Sequence, residues 1–140
     1  TFPKTLWERL ETYWTNYVNT KDFLRHEFEK HITCLLHDPL FTNQNMVFRY
    51  GLYERAYTDL FSLLYVNNIQ PNNTRALTDI IEWNFKKKIV LTCLHDKKTE
   101  RWMLDEIRFC FNKNMEMVNC NENETKKGCR NENIWYVKLE

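Results

Sequence analysis

The sequence predicts an α+β domain, and three observations carry that reading. Apolar residues in the first half recur at helical spacing, the second half turns to short β-branched and alternating runs, and four of the five cysteines fall among those runs. A chain of 140 residues predicts one domain with one core, spanning residues 1–140. Hydrophobic residues are 43% of the chain and aromatics 15%, which is ample material for that core.

The elements follow in order. Leu6, Trp7, Leu10, Tyr13, Trp14 and Tyr17 share one helical face, so residues 5–18 read as a short amphipathic helix. A second helix covers residues 23 to about 36, and Pro39 breaks the chain after it. Residues 46–66 read as helix, broken or kinked near Gly51 or Thr58. The run NNIQPNN, residues 67–73, is turn-rich. Asn73 or Thr74 then caps a helix whose apolar stripe is Leu77, Ile80, Ile81 and Phe85.

The texture changes at KIVLTC, residues 88–93, a short β-branched strand. In RWMLDEIRFCF, residues 101–111, alternation puts Ile107, Phe109 and Phe111 on one face and Arg108 and Cys110 on the other. NKN is a turn, MEMVNC (115–120) the return strand, and NIWYVKL (133–139) a last strand. Late disulfides would staple this sheet region and its loops.

Composition narrows the function classes. Only 2 glycines are present, which argues against a Gly-rich phosphate loop. The net charge of +1 means that a nucleic acid would have to be met by a local basic cleft, because no global basic field exists. No apolar run approaches the ~20 residues of a membrane span. No signal peptide opens these residues, so a secreted form would have lost its leader or carry it outside them. The cysteines are Cys34, Cys93, Cys110, Cys120 and Cys129. Two glycosylation sequons begin at Asn72 and Asn123, and with the cysteines they lean toward an oxidising, secretory compartment. The odd cysteine implies a partner outside the chain or a free thiol. No Cys-x-x-Cys pair occurs, so a structural zinc site ranks low.

The densest chemistry lies in FLRHEFEKHITC, residues 23–34. A zinc-protease motif needs histidines four apart, but position 30 is Lys and the second histidine is His31. At the α-helical pitch, His26 and His31 stand about 140° apart, too far to converge on one ion, and Lys30 would repel it. The expectation is therefore no metal. On the same wheel, Lys30 falls at about 40° from His26, Glu27 at about 100° and His31 at about 140°. Leu24, Phe28 and Leu35 lie at about 160–200°, with Ile32 slightly beyond. The helix thus packs its apolar stripe inward and presents an acid, a lysine and two histidines on a neighbouring strip. A carboxylate beside an imidazole favours the protonated ring. This combination suits a phosphodiester, whose cleavage by a 2′-hydroxyl needs a base, an acid for the leaving 5′-oxygen, and positive charge beside the phosphate. The competing reading is an ordinary solvated helix face.

HEFEKHITC (26–34) resembles the second active-site block of the ribonuclease T2 family, a pattern close to His-Glu-[Trp/Phe]-x-Lys-His-Gly-Thr-Cys. The lead-in LETYWTNYVNTKDFLRHEF is similar to the family's Tyr-Trp-Pro stretch followed by Phe-Trp-x-His-Glu. NNIQP, DIIEWNFKKKIVLTC and LDEIRFCFNKNMEMVNC resemble its later segments in order and spacing. The resemblance implies an antiparallel sheet flanked by helices, and RNA cleavage through a 2′,3′-cyclic phosphate with no cofactor. It implies that His31 is a catalytic histidine, that Glu27 and Lys30 stabilise the pentacovalent phosphate, that His26 helps hold it, and that Phe23 stacks on a flanking base. RNA is the implied partner, and a secreted or lysosomal/vacuolar location the implied setting.

The sequence also departs from the family pattern. Ile32 stands where the family has a small residue, Leu24 replaces a common Trp, and Thr15 a common Pro. The family's first block, His-Gly-Leu-Trp-Pro, with the second catalytic histidine, is not among these residues, and neither His37 nor His95 matches it. The resemblance favours the disulfides Cys93–Cys129 and Cys110–Cys120, and leaves Cys34 to a partner near the first block. These features predict the C-terminal portion of a longer or cleaved ribonuclease, its N-terminal part linked through Cys34. The alternative is a catalytically impaired, ribonuclease-like glycoprotein that binds without cutting.

Overall fold

A computed structural model of the chain describes residues 2–14, 16, 18–66, 73–130 and 133–135. It divides into two compact units, Thr1–Asp59 and Leu60–Glu140.

The first unit is helical. Helix α1 (Lys4–Tyr13) buries Leu6 and Leu10, and stops well short of residue 18. Beyond it, the Asn16 side chain accepts a hydrogen bond from the Val18 N–H at 2.8 Å, a local turn that competes with helix. Tyr17 and Thr15 lie outside the described residues. Helix α2 (Thr20–Glu27) begins earlier than residue 23, because Asn19 caps it by accepting from the Asp22 N–H at 3.1 Å. At Phe28 the pitch widens into a π turn, Phe28–Ile32, where the Thr33 N–H donates to the Phe28 carbonyl. It then tightens into a 3-10 turn, Thr33–His37, before Pro39. Asp38 is extended (φ −86°, ψ 133°), as a residue preceding proline prefers.

Helix α3 (Gln44–Tyr57) is capped by Asn43 and runs unbroken through Gly51. The helix ends at Thr58, whose hydroxyl donates to the Glu54 carbonyl at 2.7 Å. Gly51 serves packing instead: a Cβ there would lie 2.7 Å from Cζ3 of the Trp14 ring. Phe48 is the fully buried centre of this unit, with the rings of Phe2 and Trp14 edge-on at 5.1 and 5.5 Å. Burying such a ring is worth roughly 1.5–3 kcal/mol.

The second unit carries the α+β character. Helix α4 (Leu60–Val66) precedes α5 (Thr74–Phe85), which Asn73 caps by accepting from the Ala76 N–H at 2.9 Å. Strands β1 (Val90–Asp96) and β2 (Arg101–Arg108) pair antiparallel, with a bulge at Thr92/Cys93. Asp96 closes their turn by accepting from Thr99 and the Lys98 N–H, bonds that hold its carboxyl below the usual range. Leu77 and Ile81 of α5 bury against Ile89, Leu91 and Ile134, so the helix covers one side of the hairpin.

The stretch read as one strand over 101–111 is interrupted at Phe109. Its end, β3 (Cys110–Phe111), forms a separate pair with β4 (Met117–Val118). A short helix, α6 (Glu122–Thr125), follows. Of the last predicted strand the described part is a single parallel bridge, Met103 to Trp135, and residues 136–140 lie outside the description. Cys93–Cys129 ties β1 to the segment after α6, and Cys110–Cys120 closes the β3–β4 loop; these are the pairs the resemblance favours. Asn123 is exposed on α6, whereas Asn72 lies outside the described residues. Among the described residues no helix is long and apolar enough to cross a membrane.

Two stability outcomes follow. Gly51→Ala loses about 1 kcal/mol in denaturant unfolding, although an unobstructed helix site would gain about that much from alanine. Loop entropy scales with the residues enclosed, here a separation of 36 for Cys93–Cys129 and 10 for Cys110–Cys120. Removing the longer bridge by paired Ser substitution therefore costs about 4 kcal/mol and the shorter about 3, read from the shift in unfolding midpoint.

Candidate active site

The candidate side chains straddle the change of pitch. His26 and Glu27 end α2, and Lys30 and His31 belong to the π turn. A π turn closes its hydrogen bonds over five residues instead of four. Residues five apart, which an α-helix would splay, return to one side. The His26 and His31 rings accordingly meet with centroids 6.3 Å apart and planes at 75°. A nitrogen of each ring and a carboxylate oxygen of Glu27 all lie within 4.8 Å of one another.

This corrects the helical wheel. The separation of about 140° assumed one pitch throughout, and the structure has two. The argument against a metal loses its geometric basis with it, because His26, Glu27 and His31 together could hold one divalent ion. What remains of that argument is the neighbouring cation of Lys30. On the wheel Ile32 falls slightly beyond the apolar stripe, and in the structure it is buried. Widening the turn swings Ile32 back toward Leu24, also buried, and carries His31 toward His26.

Anchoring and exposure are divided cleanly. Leu24 and Ile32 are buried, while Phe28 and Leu35 are half-buried. His26, Lys30 and His31 are exposed and Glu27 is half-buried. Among the described residues Lys30 makes no ion pair, which leaves its charge available to an anion. The site therefore gathers two imidazoles and a carboxylate within 4.8 Å of one another, beside an uncommitted cation. Phe23, half-buried, precedes His26 by about one turn. Cys34 is a free, exposed thiol whose sulfur lies 3.9 Å from the His31 carbonyl. His37 is exposed in the 3-10 turn, and His95, in the other unit, faces Glu100 at 3.4 Å.

The chain as it stands should expose a single reactive thiol. Iodoacetamide under native, non-reducing conditions is expected to add one label, at Cys34, with none on the four bridged cysteines, as read by peptide mass analysis.

Comparison with known proteins places these features. The family model "Ribonuclease T2 family" matches residues 1–120. Ribonuclease Oy of Magallana gigas is 32% identical over 127 residues, covering 84% of this chain and 60% of that protein. Ribonuclease T2 protein rnst-2 of Caenorhabditis elegans is 26% identical over 128 residues, covering 84% of this chain and 44% of that protein. The chain thus spans between about two fifths and three fifths of these curated relatives. Among solved structures, ribonuclease MC1 from bitter gourd seeds superposes with a TM-score of 0.74 at 26% identity, over 84% of this chain and 64% of that one. Human RNase T2 superposes with a TM-score of 0.79 at 24% identity, over 95% of this chain and 71% of that one, a likeness of fold.

Proposed function

The chain belongs to the ribonuclease T2 family, and on that premise we propose that it carries one half of the acid/base machinery of an endoribonuclease. The reaction is transesterification of single-stranded RNA. The 2′-oxygen attacks phosphorus as a base takes its proton, and the 5′-oxygen leaves with a proton from an acid, giving a 2′,3′-cyclic phosphate. No metal enters the step.

The observation that carries this reading is the meeting of His26, Glu27 and His31 on the exposed side of one helix. His31 is the acid/base histidine. Glu27 and Lys30 stabilise the pentacovalent phosphate, His26 holds a phosphate oxygen, and Phe23 stacks on a neighbouring base. Stacking of that kind is worth ~1–3 kcal/mol per base and tolerates any base. The second histidine comes from sequence outside these 140 residues, joined through Cys34. Two disulfides fit an oxidising setting, secreted or lysosomal, with a glycan at Asn123. The rival, a scaffold that binds RNA without cutting, gives no physical reason for three titratable groups and a lysine to crowd one exposed turn.

A single assay separates these readings. Homopolymer RNA is incubated near pH 5 with EDTA, using the chain alone and the chain with its N-terminal counterpart. The expected result is cyclic phosphate ends from the paired protein, undiminished by EDTA. His31→Ala should lower the rate by about 10²–10⁴. The optimum should lie below neutrality, since one histidine must be protonated while the other is free. Activity that survives the His31 substitution would remove that residue from the mechanism, and loss with chelator would restore the metal.

A further inference from the structure

On the far side of the helix that carries the candidate site, the first unit holds a cavity of about 520 Å³. Phe2, Trp7, Leu24, Phe28 and Phe48 form its walls. Its polar lining is Lys21, Arg25 and Gln44, and among the described residues no acidic side chain lines it. The rings are already satisfied by one another: Phe2 stacks on Trp7 at 6.2 Å and meets Phe48 edge-on at 5.1 Å, and Phe28 lies parallel to Phe48 at 6.4 Å. The wall is therefore a preformed apolar surface. Lys21 is exposed and, among the described residues, makes no ion pair. Arg25 pairs with Asp22 at 3.1 Å but keeps 67% of its side chain exposed.

We propose that this cavity binds a monomeric medium- or long-chain carboxylate, its chain against the aromatic wall and its head at Lys21 and Arg25. The volume lies in the range of small-molecule sites, and apolar walls with a few placed polar groups are their usual lining. Two cations with no lining carboxylate select a negative head group. A nucleotide also carries negative charge, but its base edge and ribose hydroxyls would lose water against a largely hydrocarbon wall, where among the described lining residues the Trp7 indole N–H and the Gln44 amide are the neutral groups that could answer them. An acyl chain has no polar group to desolvate on entering and gains about fourfold in binding constant for each methylene withdrawn from water. The proposal is independent of RNA cleavage, since none of the residues it uses belongs to the strip of His26, Glu27, Lys30 and His31.

The test is fluorescence of cis-parinaric acid titrated with the full chain, displaced by octanoate, decanoate and laurate below their micelle concentrations. The expected result is saturable binding, with affinity rising three- to fourfold per methylene along the series. Lys21→Glu with Arg25→Glu should weaken laurate about tenfold and leave lauryl alcohol unaffected. Both side chains are exposed, so the helical circular dichroism should be retained. If it is not, Lys21→Gln alone, which keeps the Arg25–Asp22 pair, poses the same question and should weaken laurate severalfold. Absence of saturable binding overturns the proposal. So does displacement by 5′-UMP at lower concentration than laurate, or laurate binding that ignores the charge changes. Binding by this chain that disappears in a longer natural form would assign the cavity to the protein's own residues, and would overturn it as well.

Discussion

The change of helical pitch at Phe28 is the constraint on which the candidate site depends. Backbone hydrogen bonds that close over five residues carry His31 back beside His26 and draw Glu27 into the same group. The same widening returns Ile32 to the buried side with Leu24, so the turn is held by the core that it faces. The geometry of the candidate site and its packing are thus one event. In a regular α-helix both would be lost together, because the rotation that buries Ile32 less well is the rotation that separates the two histidines. Ile32, where the family pattern has a small residue, is the part of this turn that reaches the core.

The two units divide the labour differently. The first is an aromatic-centred helical unit in which Phe48 gathers the rings of Phe2, Trp14 and Phe28. All the candidate catalytic side chains belong to it. The second stands on α5 packed against a hairpin, with two disulfides supplementing a core of aliphatic residues. A bulge at Thr92/Cys93 and a break at Phe109 interrupt its strands, and β3 and β4 are only 2 residues each. Cross-links that restrict the unfolded chain are an effective supplement to such a sheet, since its ladder bonds are few.

Family membership and local geometry support the same reading at different depths. The match over residues 1–120 identifies the lineage, and relatives of which this chain spans about two fifths to three fifths set its scope. The grouping of an acid, two imidazoles and a nearby ammonium supplies the chemistry. A single histidine of an acid/base pair is an incomplete catalyst, because transesterification moves one proton onto the protein and another off it. The thiol of Cys34, one turn after His31, is free and exposed, its sulfur 3.9 Å from the His31 carbonyl.

Much of this was readable from residue order. Asn73 announces one helix start, because a short side-chain acceptor meets an orphan N–H where it precedes an apolar-periodic run; Asn19 and Asn43 cap two more in the same way, although periodicity placed those starts later, at residues 23 and 46. The α+β class and the identity of the candidate residues needed nothing more than periodicity and motif. Tertiary packing decided the rest. It chose Thr58 over Gly51 as the helix break, since the missing Cβ of Gly51 is spent on admitting Trp14. It ended the second strand before Phe109, which packs partly buried against the core. It also set the pitch of the turn that carries the candidate site, which no periodicity scale encodes: a π turn is weaker as local structure than an α turn, and is adopted here where Ile32 is buried. Sequence determined which groups meet an RNA phosphate in the proposed reaction, and the core determined that they stand close enough to act together.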